Sequence, residues 1–271
     1  MTRSTSPQQR NSFQRKVLGY YRQHGRSLPW RATTDPYKIL ISEIMLQQTQ
    51  VDRVLPYYTK WISRWPTITD LAQTSRKEVL HAWLGLGYNN RAARLHAAAK
   101  SIAERNQGNV LKALEEEKLP GIGPYTKNAV RIFTTNADLV TVDTNIRRIL
   151  MHEFKLPPFA TDKELEALAF QCLPRGRSRE WHNALMDYGA TVLTSRKTGI
   201  KPKTSQSAFE GSDRQLRAQL LQTLLSSSGL RTLKELAAQH SCPSSRLANI
   251  LDTMVRDGLL EKRKRSYAIK N

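Results

Sequence analysis

From residue 12 to residue 193 the apolar side chains recur at helical spacing. No stretch in that span alternates apolar and polar residues as a half-buried strand does. A chain patterned this way buries its apolar stripes by packing helix on helix, so the main domain reads as all-α. Spacing and punctuation predict helices over residues 12–23, 35–50, 75–84, 90–106, 126–133, 144–154, 162–173 and 179–193, with a further short one beginning near Leu71. Gly25 stops the first, and Pro36 sits near the start of the second.

The pattern changes after residue 193. Residues 194–212 are rich in Ser, Thr, Lys, Gly and Pro, which is linker composition. Beyond them, residues 213–225, 232–239 and 243–256 read as three helices, and 259–263 and 266–269 as two short strands around the basic turn Lys262 to Arg265. Three helices followed by a hairpin form a winged-helix-like α+β module. Its third helix would be placed for DNA and its basic wing for phosphate; a small dimerisation or packing module is the alternative. The chain thus divides into a helical domain over 1–200, a linker over 201–212 and a C-terminal module over 213–271.

Charge narrows the partners. The 271 residues hold 43 Lys and Arg against 23 Asp and Glu, a net charge of +20. A field of that sign attracts polyanions, and nucleic acid is the expected one, because each phosphate neutralised releases a counterion. No apolar run reaches the length of a membrane span; Ser42 and Glu43 interrupt the longest, 39–46. The polar, basic N-terminus lacks the core of a secretory signal, so a cytoplasmic location is expected. The two cysteines, Cys172 and Cys242, have no partners at metal-ligand spacing and make neither a disulfide framework nor a Cys-rich metal site.

Three local patterns carry chemistry. Leu119-Pro120-Gly121-Ile122-Gly123-Pro124-Tyr125-Thr126 places two glycines just before a helix, so that the backbone turns tightly and the first amides point at an anion such as a DNA phosphate. A turn of this kind is also ordinary punctuation between helices. Glu43 lies in Ile39-Leu40-Ile41-Ser42-Glu43-Ile44-Met45-Leu46. A carboxyl desolvated by such neighbours would hold its proton near neutral pH and act as a general acid. Periodicity alone favours a Glu on the one wet stripe of the helix. Asp143 follows Leu139-Val140-Thr141-Val142 and precedes a helix. It reads as an N-cap worth about 0.5–2 kcal/mol, or as a fixed anion facing a site, and one residue can do both. Cleavage of a glycosidic bond asks for such a pair: one carboxyl to protonate the leaving group, the other to stabilise positive charge on the sugar or activate water. On DNA the base must also leave the stack, which requires a phosphate anchor and a plug.

Taken together, several segments resemble the MutY-type adenine DNA glycosylases of the helix-hairpin-helix (HhH-GPD) superfamily, whose wider membership includes endonuclease III and thymine–guanine mismatch glycosylases. They are Leu28-Pro29-Trp30-Arg31, Asp35-Pro36-Tyr37, Ser42-Glu43-Ile44-Met45-Leu46-Gln47-Gln48-Thr49-Gln50, Gly85-Leu86-Gly87-Tyr88, the 119–126 turn, Val142-Asp143-Thr144-Asn145-Ile146-Arg147-Arg148 and Asn183-Ala184-Leu185-Met186-Asp187-Tyr188-Gly189-Ala190. They occur in the family's order and cover roughly residues 12–195. The resemblance implies two helical subdomains with a helix-hairpin-helix. It makes Glu43 the residue that protonates adenine, Asp143 the stabiliser of the oxocarbenium-like sugar and Asn145 a polar partner in the same site. Tyr125 stands where bifunctional lyases of the superfamily carry a catalytic lysine, and a phenol forms no Schiff base, so a monofunctional hydrolase is expected. Gln48 and Tyr88 match residues that insert into the duplex. With Gln47, Gly121, Ile122, Gly123, Thr126 and Arg147 they are the candidate DNA contacts.

Three departures matter. The family usually carries a four-cysteine iron–sulfur cluster. Here Leu193 occupies the first cysteine position and the others are missing, so no cofactor is expected, and the basic loop 195–203 is a candidate replacement DNA contact. The family's 8-oxoguanine-reading C-terminal domain is absent, with the winged-helix-like module in its place. Asn89-Asn90 departs from the usual residues after Tyr88. The expected function is excision of adenine opposite 8-oxoguanine or guanine in duplex DNA, by a monomer. The alternatives are a thymine or uracil mismatch glycosylase of the same fold, and a DNA-binding protein without catalysis.

Overall fold

The computed structural model describes residues 5–202, 208–227 and 229–270. Its helices are α1 (Pro7–His24), α2 (Pro36–Leu46), α3 (Val51–Arg64), α4 (Ile68–Gln73), α5 (Arg76–Trp83), α6 (Asn90–Asn106), α7 (Val110–Glu116), α8 (Pro124–Thr135), α9 (Thr144–Glu153), α10 (Asp162–Gln171), α11 (Ser178–Thr191) and α12 (Ser195–Thr198). The C-terminal module follows as α13 (Asp213–Ser226), β1 (Arg231–Thr232), α14 (Leu233–Gln239), α15 (Ser244–Arg256), β2 (Leu260–Arg263) and β3 (Ser266–Ile269). Among the described residues the only strands are these three, in the antiparallel order β1-β3-β2. Register pairs Leu260 with Ile269 and Arg231 with Tyr267. Helix, strand, two helices and a hairpin is the winged-helix order, so the expected all-α domain with an α+β appendage is what forms. No helix among the described residues is long and apolar enough to cross a membrane.

Three helices escape the sequence reading: α3, α7 and the short α12. Helix α3 begins without a side-chain cap and holds Pro56 inside it, and proline reads as a breaker. Helix α7 has only seven residues, too few for a periodic signal, and is started by Asn109, whose side chain accepts from the Lys112 amide. The expected linker also begins later than its composition suggests. Thr194 caps the short α12 through the Lys197 amide, and residues 203–207 of the linker lie outside the described residues.

The chain folds as two compact units that do not follow its linear division. One comprises Met1–Glu43 and Ile122–Ser205, the other Ile44–Gly121 and Gln206–Asn271. In the first, α1, α9, α10 and α11 enclose a core of Phe13, Val17, Ile146, Ile149, Leu165 and Trp181. Phe13 meets Phe154 and Trp181 edge-on at 5.3 and 5.4 Å. In the second, α6 packs against α4, α5 and α7. Trp61 stacks its edge on Trp65 and Trp83 at 4.6 and 5.4 Å. The C-terminal module joins this second unit: α13 packs on α5, and Lys77 Nζ donates to the Ser227 carbonyl at 3.3 Å.

Candidate active site

Helix α2 has no wet stripe. Every residue from Ile39 to Met45 is buried, Ser42 and Glu43 included, and Glu43 is 8% exposed. A helix apolar all round must be enclosed on all sides, so the one carboxyl it carries goes in with it. Burial, reinforced by the nearby charge of Asp143, pushes the Glu43 carboxyl up to about 8. Glu43 is therefore the protonated member of the pair at neutral pH.

Asp143 performs the cap expected of it. Its Oδ1 accepts from the Ile146 amide at 2.7 Å at the start of α9. Its Oδ2 accepts from Asn145 Nδ2 at 3.2 Å. Asn145 Oδ1 in turn accepts from Arg148 Nη2 at 2.6 Å. Arg148 is buried, and its remaining bonds go to the carbonyls of Leu193 at 2.6 Å and Gly189 at 2.8 Å. Burial raises the Asp143 carboxyl above its usual range, and the Ile146 and Asn145 bonds and the Arg148 charge offset part of that rise. The two carboxyls thus differ in kind. Glu43 is raised by burial with a negative neighbour, whereas Asp143 is steadied by donors and a cation.

The segment leading into Asp143 is apolar yet is no strand, because α8 and α11 take its backbone groups. Ser178 Oγ donates to the Leu139 carbonyl at 3.0 Å, and Asn128 Nδ2 donates to the Val140 carbonyl at 3.3 Å. The Thr141 amide donates to His182 Nε2 at 3.3 Å, and His182 Nδ1 donates to the Ser178 carbonyl at 2.7 Å. Burial lowers His182 to about 4, which keeps it neutral and able to accept. Tyr125, in the first turn of α8, is raised well above the usual phenol range by burial and by the charges of Glu43 and Asp143, with the Thr141 hydroxyl beside it. Glu43, Tyr125, Asp143 and Asn145 all belong to the first unit; the charges of Glu43 and Asp143 act on the Tyr125 phenol, and Asn145 bonds Asp143.

The same unit explains two of the sequence motifs. Asp187, 1% exposed, accepts from the Arg26 amide, Arg26 Nε and both terminal nitrogens of Arg31, all at 2.7–2.8 Å. One buried carboxylate thereby ties Leu28-Pro29-Trp30-Arg31 to α11. Two residues on, a Cβ at Gly189 would lie 2.8 Å from the Cβ of Asn145, so only glycine leaves the Asp143 network its room.

The candidate DNA contacts divide. Gly121 has φ +74, and a Cβ there would meet the Arg94 Cβ at 2.9 Å, so glycine is required. Gly123 caps α8 with no side chain, and a Cβ there would meet open space. Ile122 between them is half-buried. Thr126 is 3% exposed, because the first turn of α8 points that face inward, which leaves its backbone rather than its side chain as the candidate phosphate contact. Arg147 donates to the Pro158 carbonyl at 3.5 Å, and the arginine in the Asp143 network is its neighbour Arg148. In the second unit Gln48 is exposed, Gln47 half-buried and Tyr88 37% exposed. Gln48 and Tyr88 both adopt left-handed backbone, at φ 56 and 48.

The geometry matches known proteins. The model of the "HhH-GPD superfamily base excision DNA repair protein" family matches residues 41–175. The adenine DNA glycosylase of Mycolicibacterium smegmatis is 36% identical over 91% of this chain and 92% of its own length. The chain belongs to the adenine DNA glycosylase family of HhH-GPD proteins. An alignment that covers 91% of the chain takes in part of the C-terminal module, whereas the family model ends at residue 175. The human adenine DNA glycosylase is likewise 36% identical, over 69% of this chain and 37% of its own length, so the chain spans well under half of that larger relative. Among solved structures, a thermostable thymine-DNA glycosylase superposes with a TM-score of 0.64 at 30% identity, covering 70% of this chain and 90% of that one. An iron–sulfur cluster is commonly held by four thiolates, and the chain has two cysteines. Cys172 is buried in the core, which pushes its thiol up to about 12, and Cys242 lies in the C-terminal module.

Proposed function

We propose that the chain is a monofunctional adenine DNA glycosylase that extrudes adenine mispaired with 8-oxoguanine or guanine from duplex DNA and hydrolyses its N-glycosidic bond. The observation that carries this reading is the Glu43 carboxyl buried in α2, its pKa raised by that burial and by the charge of the network-held Asp143. Glu43 gives its proton to the adenine ring, and the bond from C1′ to the base breaks with its electron pair leaving on the base. The Asp143 carboxylate faces the positive charge that develops on the sugar, and water adds to C1′, its proton passing to the Glu43 carboxylate left by the first step. Tyr125 keeps its proton and offers no amine, so the sugar is not held as a Schiff base and the strand is not cut. Gln48 and Tyr88 enter the duplex, and the amides before α8 grip a phosphate. The protein acts as a monomer, in the cytoplasm or on the nucleoid, and without an iron–sulfur cluster. It should be colourless and free of iron, and a visible absorbance band with bound iron would contradict that.

The C-terminal module holds duplex DNA through its wing rather than through α15. On the exposed face of α15, Arg246 is tied to Asp213 at 2.7 Å and Asp252 to Lys262 at 3.2 Å. The wing residues Lys264 and Arg265 are exposed, while Arg263, also exposed, is paired with Glu261 at 2.7 Å. Cations on such a loop suit phosphate, which positions a protein without reading sequence.

A second reading, release of thymine or uracil opposite guanine, is favoured by the 30% identity to the thymine-DNA glycosylase. A single-turnover assay on duplexes carrying adenine opposite 8-oxoguanine, guanine and cytosine, and thymine, uracil and hypoxanthine opposite guanine or thymine, separates the two. Adenine release opposite 8-oxoguanine or guanine, with no borohydride-trapped adduct, is expected. Release of a pyrimidine alone moves the chain to the second reading, and trapping overturns the role given to Tyr125.

A further inference from the structure

Arg91 occupies an unfavourable place. It lies in the first turn of α6, where the helix dipole repels a cation, and it is 8% exposed. Burial lowers its guanidinium to about 10, still charged at neutral pH. Charge buried this deeply persists only where its donors are satisfied. Nη1 donates to the carbonyls of Ile44, Met45 and Gln47 at 2.8, 2.9 and 2.6 Å. Nη2 donates to Thr49 Oγ1 at 3.1 Å and the Gly87 carbonyl at 2.9 Å, and Nε reaches the Tyr88 carbonyl at 3.4 Å. The guanidinium lies 5.1 Å from the Trp83 ring centre and 5.6 Å from that of Tyr88.

These partners belong to two turns. The first follows α2, whose last carbonyls a helix leaves unpaired. Arg91 satisfies them where a glycine cap would otherwise be expected, at the end of the dipole that favours a cation. The second is Gly85 to Tyr88. Each turn carries one exposed non-glycine residue in left-handed backbone, Gln48 and Tyr88, a conformation that costs such residues energy and persists only where the surroundings impose it. A planar fork of five donors imposes it on both turns at once, whereas a lysine ammonium cannot span the two sets of acceptors.

We propose that Arg91 is a positioning residue that locks the Gln47–Thr49 and Gly85–Tyr88 turns into one rigid unit, so that Gln48 and Tyr88 enter the duplex together. It rests on the reading that these two residues insert. The two predictions separate in a double-mutant cycle of Gln48→Ala and Tyr88→Ala, measured in the Arg91 protein and in Arg91→Lys. The probe is a duplex with 2-aminopurine beside the mispaired adenine. Its fluorescence on binding reports unstacking, and single-turnover base release is followed alongside. In the Arg91 protein the two substitutions should be non-additive by roughly tenfold in rate, within the range for residues that act as one unit. In Arg91→Lys that coupling should fall to about onefold, with the 2-aminopurine rise diminished at saturating enzyme. Should Arg91→Lys not fold, Thr49→Val removes one bond to the guanidinium without touching the core, and the coupling should then be reduced. Strict additivity in the Arg91 protein, or coupling unchanged by Arg91→Lys or, where that variant does not fold, by Thr49→Val, overturns the lock. If neither Gln48→Ala nor Tyr88→Ala changes the fluorescence at all, it is the insertion reading that fails, and the lock falls with it.

Discussion

Helices α2 and α15 treat charge in opposite ways. Helix α2 buries seven consecutive residues and takes Glu43 in with them. Helix α15 buries Leu247, Ile250, Leu251 and Met254 on one side and pairs its exposed Arg246 and Asp252 with Asp213 and Lys262. A charge carried inward against its solvation cost must have its protonation state set by the fold, and that is where proton transfer is found. A charge left outside and paired is screened by salt and contributes little to stability. If this contrast is right, substitutions near Glu43 change chemistry, and substitutions on the C-terminal module change affinity and its salt dependence.

The sharpest break is Glu43→Gln. It keeps shape but has no proton to give, so base release should fall by about 10²–10⁴-fold while duplex binding persists. The same variant tests the burial. Because the folded chain holds Glu43 near 8 while the unfolded chain releases that proton near 4.5, stability present at low pH is lost as pH rises through this window. Glu43→Gln has no such loss, so its melting temperature should gain on the unsubstituted protein steadily from pH 5 to pH 8; a constant difference would place Glu43 in solvent. Asp143→Asn comes next. Asparagine caps helices as well as aspartate does, so melting should barely move while single-turnover rate drops by about 10²–10³-fold. Equal losses of stability and rate would reduce Asp143 to a cap. Gly189→Ala forces a methyl within 2.8 Å of the Asn145 Cβ, and should cost about 1–3 kcal/mol with reduced activity; a variant as stable and active as the parent would remove Asn145 and Arg148 from the account. The smallest effect belongs to the wing. Lys264→Ala with Arg265→Ala should lower the slope of log affinity against log salt by about 2, and Asn249→Ala on α15 by nothing measurable. The reverse ranking would hand DNA contact back to α15.

Much of this architecture could be read from the residues. Helices α6, α9 and α11 sit within two residues of their predicted ends, and the change of style after residue 193 marks a module that forms. The chemistry was less legible. Periodicity placed Glu43 on a wet face, and only the resemblance favoured catalysis; burial on every side of α2 is a tertiary fact. The roles of Arg91, Arg148 and Asp187 are hard to read from the sequence, because their partners lie across turns or from 41 to 161 residues away in the chain. A trace of Arg91 was available: an arginine in the first turn of a helix opposes the dipole and demands a reason. Thr126 and Arg147 show what a motif leaves open: the first turn of α8 buries the Thr126 side chain, and Arg147, half-buried, reaches the Pro158 carbonyl at 3.5 Å.

The pH dependence of single-turnover base release, followed from pH 5 to 10 with enzyme in excess over a duplex carrying the mispaired adenine, tests the central claim most directly. A proton held by Glu43 until about 8 predicts a rate that is sustained near neutrality and then falls about tenfold per pH unit above that value. A rate unchanged or rising between pH 8 and 10 would mean that Glu43 is not the acid and that the buried carboxyl has another purpose.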